Sequence, residues 1–171
     1  MSFYRDVEYS SKILLRRSNL SDLEFILTLE SKEENKPYIT IWERRQHEHA
    51  IHDENIAHMI IEDKQLSKPV GFVIISDLHN NNNNVEFTRI VIDEKGKGYG
   101  KQALQWIKKW VFEDLKAHRL WLDVKVTNRR AKGTYEAEGF TLEGTLRECV
   151  KNGESYESLH IMSILKSEYE S

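Results

Sequence analysis

Apolar residues recur along this chain in two rhythms, every second residue or every third to fourth, and the switches between them predict its elements. KILLRRS reads as a short strand. NLSDLEFILTLE then takes helical spacing through Leu23, Ile26, Leu27 and Glu30, with Ser21 and Glu24 at capping-box distance. ITIWERRQHEHAIHDENI predicts a second, more polar helix, reached through SKEENKPY. AHMIIED and KPVGFVIISDLH are rich in β-formers and separated by KQLSK, which predicts a hairpin. Asn80 to Asn84 cannot bury apolar surface and reads as an exposed loop. VEFTRIVID is a further strand that runs into a glycine-rich turn.

Beyond that turn, Ala103, Leu104, Ile107, Trp110, Val111 and Leu115 form a buried helical stripe, widened by Trp106. RLWLDVKV alternates Leu120, Leu122, Val124 and Val126 on one strand face. TNRRAKGTYEAEGF predicts a short helix with Asn128 as N-cap and Gly139 just past its end. FTLEGTLRECVKNGESYESLHIMSIL reads as two strands joined around KNGE, whose Asn-Gly pair is a strong hairpin signal. The order β-α-α-β-β-β-α-β-α-β-β predicts a mixed α/β sheet. No repeat or linker divides the chain, so one domain over 1–171 is expected.

Composition narrows the function. With 171 residues, 39% of them hydrophobic, the chain suffices for one core. A net charge of −3 argues against a general nucleic-acid binder. Cys149 is the lone cysteine, which excludes an intrachain disulfide and fits a reducing compartment. The N-terminal MSFYRDVEYSSK lacks the apolar core of a signal peptide, and VGFVII is far short of a membrane span. A cytoplasmic protein without membrane partners is expected.

The glycine turn carries the first chemical signal. Gly96, Gly98 and Gly100 stand at alternate positions between a strand and a helix. Glycine permits positive φ and leaves backbone N–H groups uncovered, and the following helix adds its own unpaired N–H groups, which suits a phosphate. A tight turn without a ligand is the alternative. The dinucleotide fingerprint fails because the third glycine comes one residue early, and the Walker pattern fails at Gln102.

Lys95-Gly96-Lys97-Gly98-Tyr99-Gly100 resembles the [QR]-x-x-G-x-[GA] signature of the GNAT acyl-CoA N-acyltransferases, with Lys95 in place of Gln or Arg. Asn128, Ala131, Tyr135, Gly139 and Phe140 are similar to the same family's N-x-x-A-x-x-x-Y-x-x-x-G-F element, in the family's order. The layout agrees from about residue 12 to 166. The opening LLRRSNLSDLEFI and the closing hairpin, with Arg147 and Gly153, resemble the branch of ribosomal-protein and polyamine N-acetyltransferases.

The resemblance implies a GNAT-type, mostly antiparallel sheet flanked by helices, and transfer of acetyl from acetyl-CoA to a primary amine by direct attack in a ternary complex. It implies that the pantetheine arm pairs with the backbone of Ile90, Val91 and Ile92, and that the diphosphate rests on the amides from Lys95 to Gly100, Tyr99 included. Lys97 and Lys101 would add positive charge, and Asn128 would contact the arm. Tyr135 is the expected proton donor to the leaving thiolate. Departures from the pattern are Lys132 and Thr134 at usually apolar places and Gly133 within the helix.

Glu86 is the expected base, on the reasoning that six positions before Ile92 it shares that residue's strand face. Glu33 and Glu34 are rivals for that role. His47, His49, His52 and His58 crowd one region, but no cysteine or carboxylate pattern completes a metal site, so a solvated helix face and no metal are expected. Tyr38 and Trp42 read as packing residues that pin the second helix. The pairs Arg16-Arg17, Arg44-Arg45 and Arg129-Arg130 form no common basic tract. Cys149 lies outside both motifs, which argues against an acetyl-cysteine intermediate. A non-catalytic acyl-CoA sensor on the same fold is the alternative function. The acceptor class, the acyl length and the choice between monomer and homodimer stay open.

Overall fold

The computed structural model describes residues 12–171, so the polar N-terminal segment lies outside the described residues, apart from Lys12. Seven strands form one sheet in the order β1-β2-β3-β4-β5-β7-β6, and every neighbouring pair is antiparallel except β4 and β5. They are β1 (Ile13–Arg17), β2 (Ile56–Asp63), β3 (Lys68–Ser76), β4 (Asn84–Ile92), β5 (Arg119–Lys125), β6 (Thr141–Asn152) and β7 (Ser155–Leu165). The helices are α1 (Leu23–Ser31), α2 (Arg44–His52), α3 (Tyr99–Lys109), α4 (Arg129–Ala137) and a terminal α5 (Lys166–Tyr169). Apart from α5 and the short 3₁₀ and π segments, this is the order the hydrophobic rhythms predict.

Local chemistry moves several boundaries. The first helical segment is entered two residues earlier than Ser21 and Glu24 suggest. Asn19 accepts from the Ser21 amide and Asp22 accepts from the Asn19 amide, capping a 3₁₀ turn over Leu20–Asp22. Residues 39–43 precede α2 outside any helix, and Glu43 opens that helix with a capping box. After Lys109 the helix widens into a π segment, Trp110–Asp114, where the Leu115 amide donates to the Trp110 carbonyl. The widening keeps Trp110, Val111 and Phe112 all buried. Val126 falls beyond β5 and is exposed. In the last hairpin Asn152 pairs with Ser155, so Gly153 and Glu154 are the two turn residues and Gly153 takes φ +62°.

The sheet divides the core. On one face α3, the π segment and Phe140 cover Val73, Ile75, Val85, Phe87, Leu120, Leu122 and Val124. On the other, Ile26 and Leu29 of α1 cover Ile60, Phe72, Ile74 and Val91. Gly71 of β3 pairs with Ile92 of β4. A Cβ there would stand 2.5 Å from the Val91 carbonyl oxygen and 3.3 Å from the Ile92 Cα, both backbone atoms. Gly71→Ala is therefore expected to push β3 and β4 apart and to cost about 1–3 kcal/mol. Thermal unfolding should show it as a drop of roughly 2–4 °C per kcal/mol for a chain of this size. An unchanged Tm would mean the strands separate freely.

Candidate active site

Three local features build the site. The first is a divergence of strands: β4 and β5 pair only from Asn84↔Arg119 to Glu86↔Trp121. Beyond Glu86, the β5-side edge of β4 has no partner strand, which leaves the backbone from Phe87 to Ile92 open to the gap. The second is a β-bulge in the same strand. Ile74 pairs with Arg89 but Ile75 pairs with Phe87, so Thr88 is the extra residue. One inserted residue reverses every side chain beyond it. Val85, Phe87, Ile90 and Ile92 therefore point to the α3 face, while Arg89 and Val91 point to the α1 face. Glu86, alternating between Val85 and Phe87, belongs to the α1 face too. This corrects the expectation from simple period two: Glu86 does not share the face of Ile92.

The third feature is the glycine turn. Gly96 and Gly98 take φ +83° and +81°, and Gly98 is the N-cap of α3. Nothing lies within 4 Å of a Cβ built on Gly96, and only the Gln102 Nε2, at 3.9 Å, approaches one on Gly98. The surface above the turn is thus open, as a diphosphate requires. Tyr99 has only its backbone to offer there, since its buried phenol donates to Asp63 at 2.6 Å.

The lysines of the turn divide. Lys97 is paired with Glu94, and its carbonyl accepts from the Lys12 ammonium at 2.9 Å. Lys95 donates to the Asn35 Oδ1 at 2.5 Å and stands 4.0 Å from Glu34. Lys101 has no partner among the described residues and lines the cavity, as do Arg129 and Arg130 at the start of α4. The two arginines were missed in the sequence because adjacent basic residues carry no information about which cavity they border. Tertiary structure brings them to the same cavity as Lys101.

A cavity of about 1030 Å³ joins these features and reaches both sides of the sheet. On the α3 side Asn128 caps α4 by accepting from the Ala131 amide at 3.2 Å, and Gly139 follows at φ +95°. That short helix holds Tyr135 between Phe87 and Phe140, with ring centroids 6.1 and 5.8 Å apart. Lys132 is satisfied by Glu136 at 2.6 Å and Thr134 by the Arg130 carbonyl at 3.1 Å, so the unusual residues of α4 are accommodated at its surface. Burial and the negative charge of Asp123 raise the Tyr135 phenol above its ordinary value, so it keeps its proton throughout the neutral range.

On the α1 side the wall includes Tyr38, Ile39, Thr40, Glu34, Glu86 and Asp123. Glu86 is pushed up to about 7 by partial burial and by the charges of Asp123 and Asp77. Asp123 is also raised, by burial, with Arg89 opposing. Glu33 points to solvent and pairs with Lys36 at 2.7 Å, outside the cavity. Tyr38 is exposed and lines the cavity instead of packing, whereas Trp42 does pack, against His47 and Arg89. Cys149 is exposed and does not line the cavity.

The histidines also divide. His49 and His52 are solvated, but His47 and His58 are buried, which corrects the reading of all four as one solvated face. Among the described residues no group of three or more His, Cys, Asp or Glu side chains is arranged to hold a metal ion. No described helix is long and apolar enough to cross a membrane.

A mostly antiparallel seven-stranded sheet that splays between β4 and β5, beside a glycine-capped helix, is the architecture of an acyl-CoA-dependent N-acyltransferase. The Acetyltransferase (GNAT) family model matches residues 23–140, and the chain belongs to that family. It is 29% identical, over 171 aligned positions, to the spermidine N(1)-acetyltransferase of Vibrio cholerae serotype O1, covering 94% of this chain and 96% of that protein. A crystal structure of spermidine N-acetyltransferase from Vibrio cholerae in complex with CoA and spermine superposes with a TM-score of 0.84 at 27% identity, covering 95% and 100% of the two chains. A structure of that organism's spermidine/spermine N-acetyltransferase with manganese ions gives 0.78 at 27% identity, covering 93% and 95%. The protein is an acetyltransferase that uses acetyl-CoA, and these relatives favour the enzyme over the non-catalytic sensor.

Proposed function

We propose that the protein acetylates a primary amine of a cationic polyamine. The observation that carries this reading is the acidic α1-side wall, where Glu34, Glu86 and Asp123 line the cavity opposite the basic, glycine-rich cofactor side. The likeness to a spermidine acetyltransferase supports it. A domain spanning residues 1–171 is the working unit, placed in the cytoplasm as a monomer or homodimer without nucleic-acid partners. The exposed free thiol of Cys149 fits a reducing compartment.

Bound acetyl-CoA supplies the activated thioester. The backbone edge of β4 from Ile90 to Ile92 offers hydrogen bonds to the pantetheine arm in the manner of an added strand, and Asn128 borders that arm. Backbone amides from Lys95 to Gly100 take the diphosphate, with Lys101, Arg129 and Arg130 as the nearby cations and Lys97 contributing weakly because Glu94 holds it. An alkylammonium is neutral in only about one molecule per few thousand at pH 7, so Glu86 accepts its proton, directly or through water. The freed lone pair attacks the thioester carbon from the α1 side. A β4 backbone N–H faces the developing oxyanion, and Tyr135 protonates the departing sulfur from the α3 side. No metal takes part.

The test is release of free CoA thiol from acetyl-CoA, in buffer containing EDTA, with spermidine, spermine, aminoglycosides, free amino acids and N-terminal Ser or Ala peptides. Turnover is expected with spermidine or spermine. Turnover with the peptides alone would overturn the polyamine reading.

A further inference from the structure

Beneath the acceptor wall, a chain of polar side chains crosses four elements with almost no exposure to water. Ser18 lies 2.8 Å from the His58 Nδ1, and the His58 Nε2 lies 3.0 Å from the His47 Nδ1. The His47 Nε2 meets one oxygen of Glu30, and the other oxygen of Glu30 meets Arg89. Glu30 and His47 are fully buried, His58 is 2% exposed, and the Arg89 side chain is 8% exposed. Hydrogen-bond direction follows from the charged end. A carboxylate only accepts, so the His47 Nε2 donates to Glu30. Burial and the neighbouring His47 lower the His58 pKa to about 3, so that ring is neutral, and each ring nitrogen of the two histidines has a partner.

The mechanism above uses none of these groups, yet Arg89 lines the same cavity as Asp123 and Glu86. We propose that Glu30 is a positioning residue that guards charge: it binds Arg89 toward α1 and so reserves Asp123 and Glu86 for a cationic acceptor. The Arg89 guanidinium also donates to the Thr40 carbonyl at 2.5 Å and lies 5.0 Å from the Trp42 ring centre, so the same pair anchors the segment beside Tyr38 that walls the cavity. A buried guanidinium without an anion is costly. Were Glu30 neutral, the carboxylates across the cavity would be the anions left to Arg89, and an amine would have to compete with a tethered cation. The remaining charged or titratable groups around Arg89 are His47 on α2, His58 on β2 with Asp22 near it, and Asp123 on β5, while Glu86 on β4 lines the same cavity. None of them replaces Glu30 on the α1 side, because a histidine ring supplies no anion and Asp22 is held by Arg16 at 2.8 Å.

This inference rests on reading Glu86 and Asp123 as the acceptor wall, and its test separates the two. Carboxyl-detected NMR would follow the titration of Asp123 in the wild type, Glu30→Gln and Glu30→Gln/Arg89→Gln. The midpoint is expected to fall in Glu30→Gln, as Arg89 turns to Asp123, and to return to the wild-type value or above it in the double variant. With spermidine, Glu30→Gln is expected to raise the acceptor KM by about tenfold or more, and to change the acetyl-CoA KM by less than about threefold. The double variant should restore the acceptor KM. An unmoved Asp123 midpoint in Glu30→Gln overturns the guard. If Glu30→Gln does not fold, the double variant decides, since removing both members of a buried pair is far milder than removing one; an Asp123 midpoint below the wild-type value there overturns it. A wild type inactive on polyamines sinks the proposed acceptor, and the NMR titration still decides the role of Glu30.

Discussion

Glu86→Gln is expected to lower kcat/KM for the amine by about 10²–10⁴-fold and to abolish the break near pH 7 in its pH profile. Partial burial and the charges of Asp123 and Asp77 hold the Glu86 carboxyl at about 7. A base must be unprotonated to act, so wild-type kcat/KM should fall as the pH drops below about 7. The glutamine variant has no such group, so its profile should lack the break at about 7 and follow the neutral fraction of the amine, about tenfold per pH unit. Stability moves the opposite way. A carboxyl whose folded pKa is raised binds more protons folded than unfolded between about 4.5 and 7, so its contribution to stability is lost as pH rises through that window. Glu86→Gln should therefore be as stable as the wild type at pH 8 or more so, which separates a lost base from a damaged fold. A variant that keeps its rate and its break would transfer the role to Glu34 or to a water path.

Tyr135→Phe is expected to reduce kcat by about 10²-fold or more while leaving the acetyl-CoA KM nearly unchanged. Phenylalanine keeps the ring contacts with Phe87 and Phe140 and loses only the hydroxyl. The raised pKa of the phenol makes it a reliable holder of its proton and a weak acid, so its use is confined to a strongly basic leaving group. A thioester with a more acidic thiol should for that reason suffer less from the substitution. Equal losses with both thioesters would show that Tyr135 shapes the site without giving up a proton.

The geometry of the glycine turn and of α4 was legible because each is local. Positive φ at Gly96 and Gly98, the Asn128 cap and Gly139 past the end of α4 are demands made within a few residues of chain. The acceptor side was read less well. Glu33 and Glu34 are equivalent in sequence, yet one pairs with Lys36 in solvent and the other lines the cavity. Tyr38 and Trp42 lie four residues apart in one connection and have opposite fates. Arg89 gave no sign at all, since a single arginine in a strand is ordinarily a surface residue.

Hydrophobic rhythm and turn chemistry by themselves determined the element order, the hairpins and the glycine turn. These follow from steric and hydrogen-bonding rules that act over one to four residues. Tertiary structure alone decided which face Glu86 presents, because a bulge at Thr88 exists only in the pairing of β4 with β3. It likewise decided which charges are buried. Glu30 and Arg89 stand 59 residues apart, and each tolerates burial only because folding brings the other within hydrogen-bond reach.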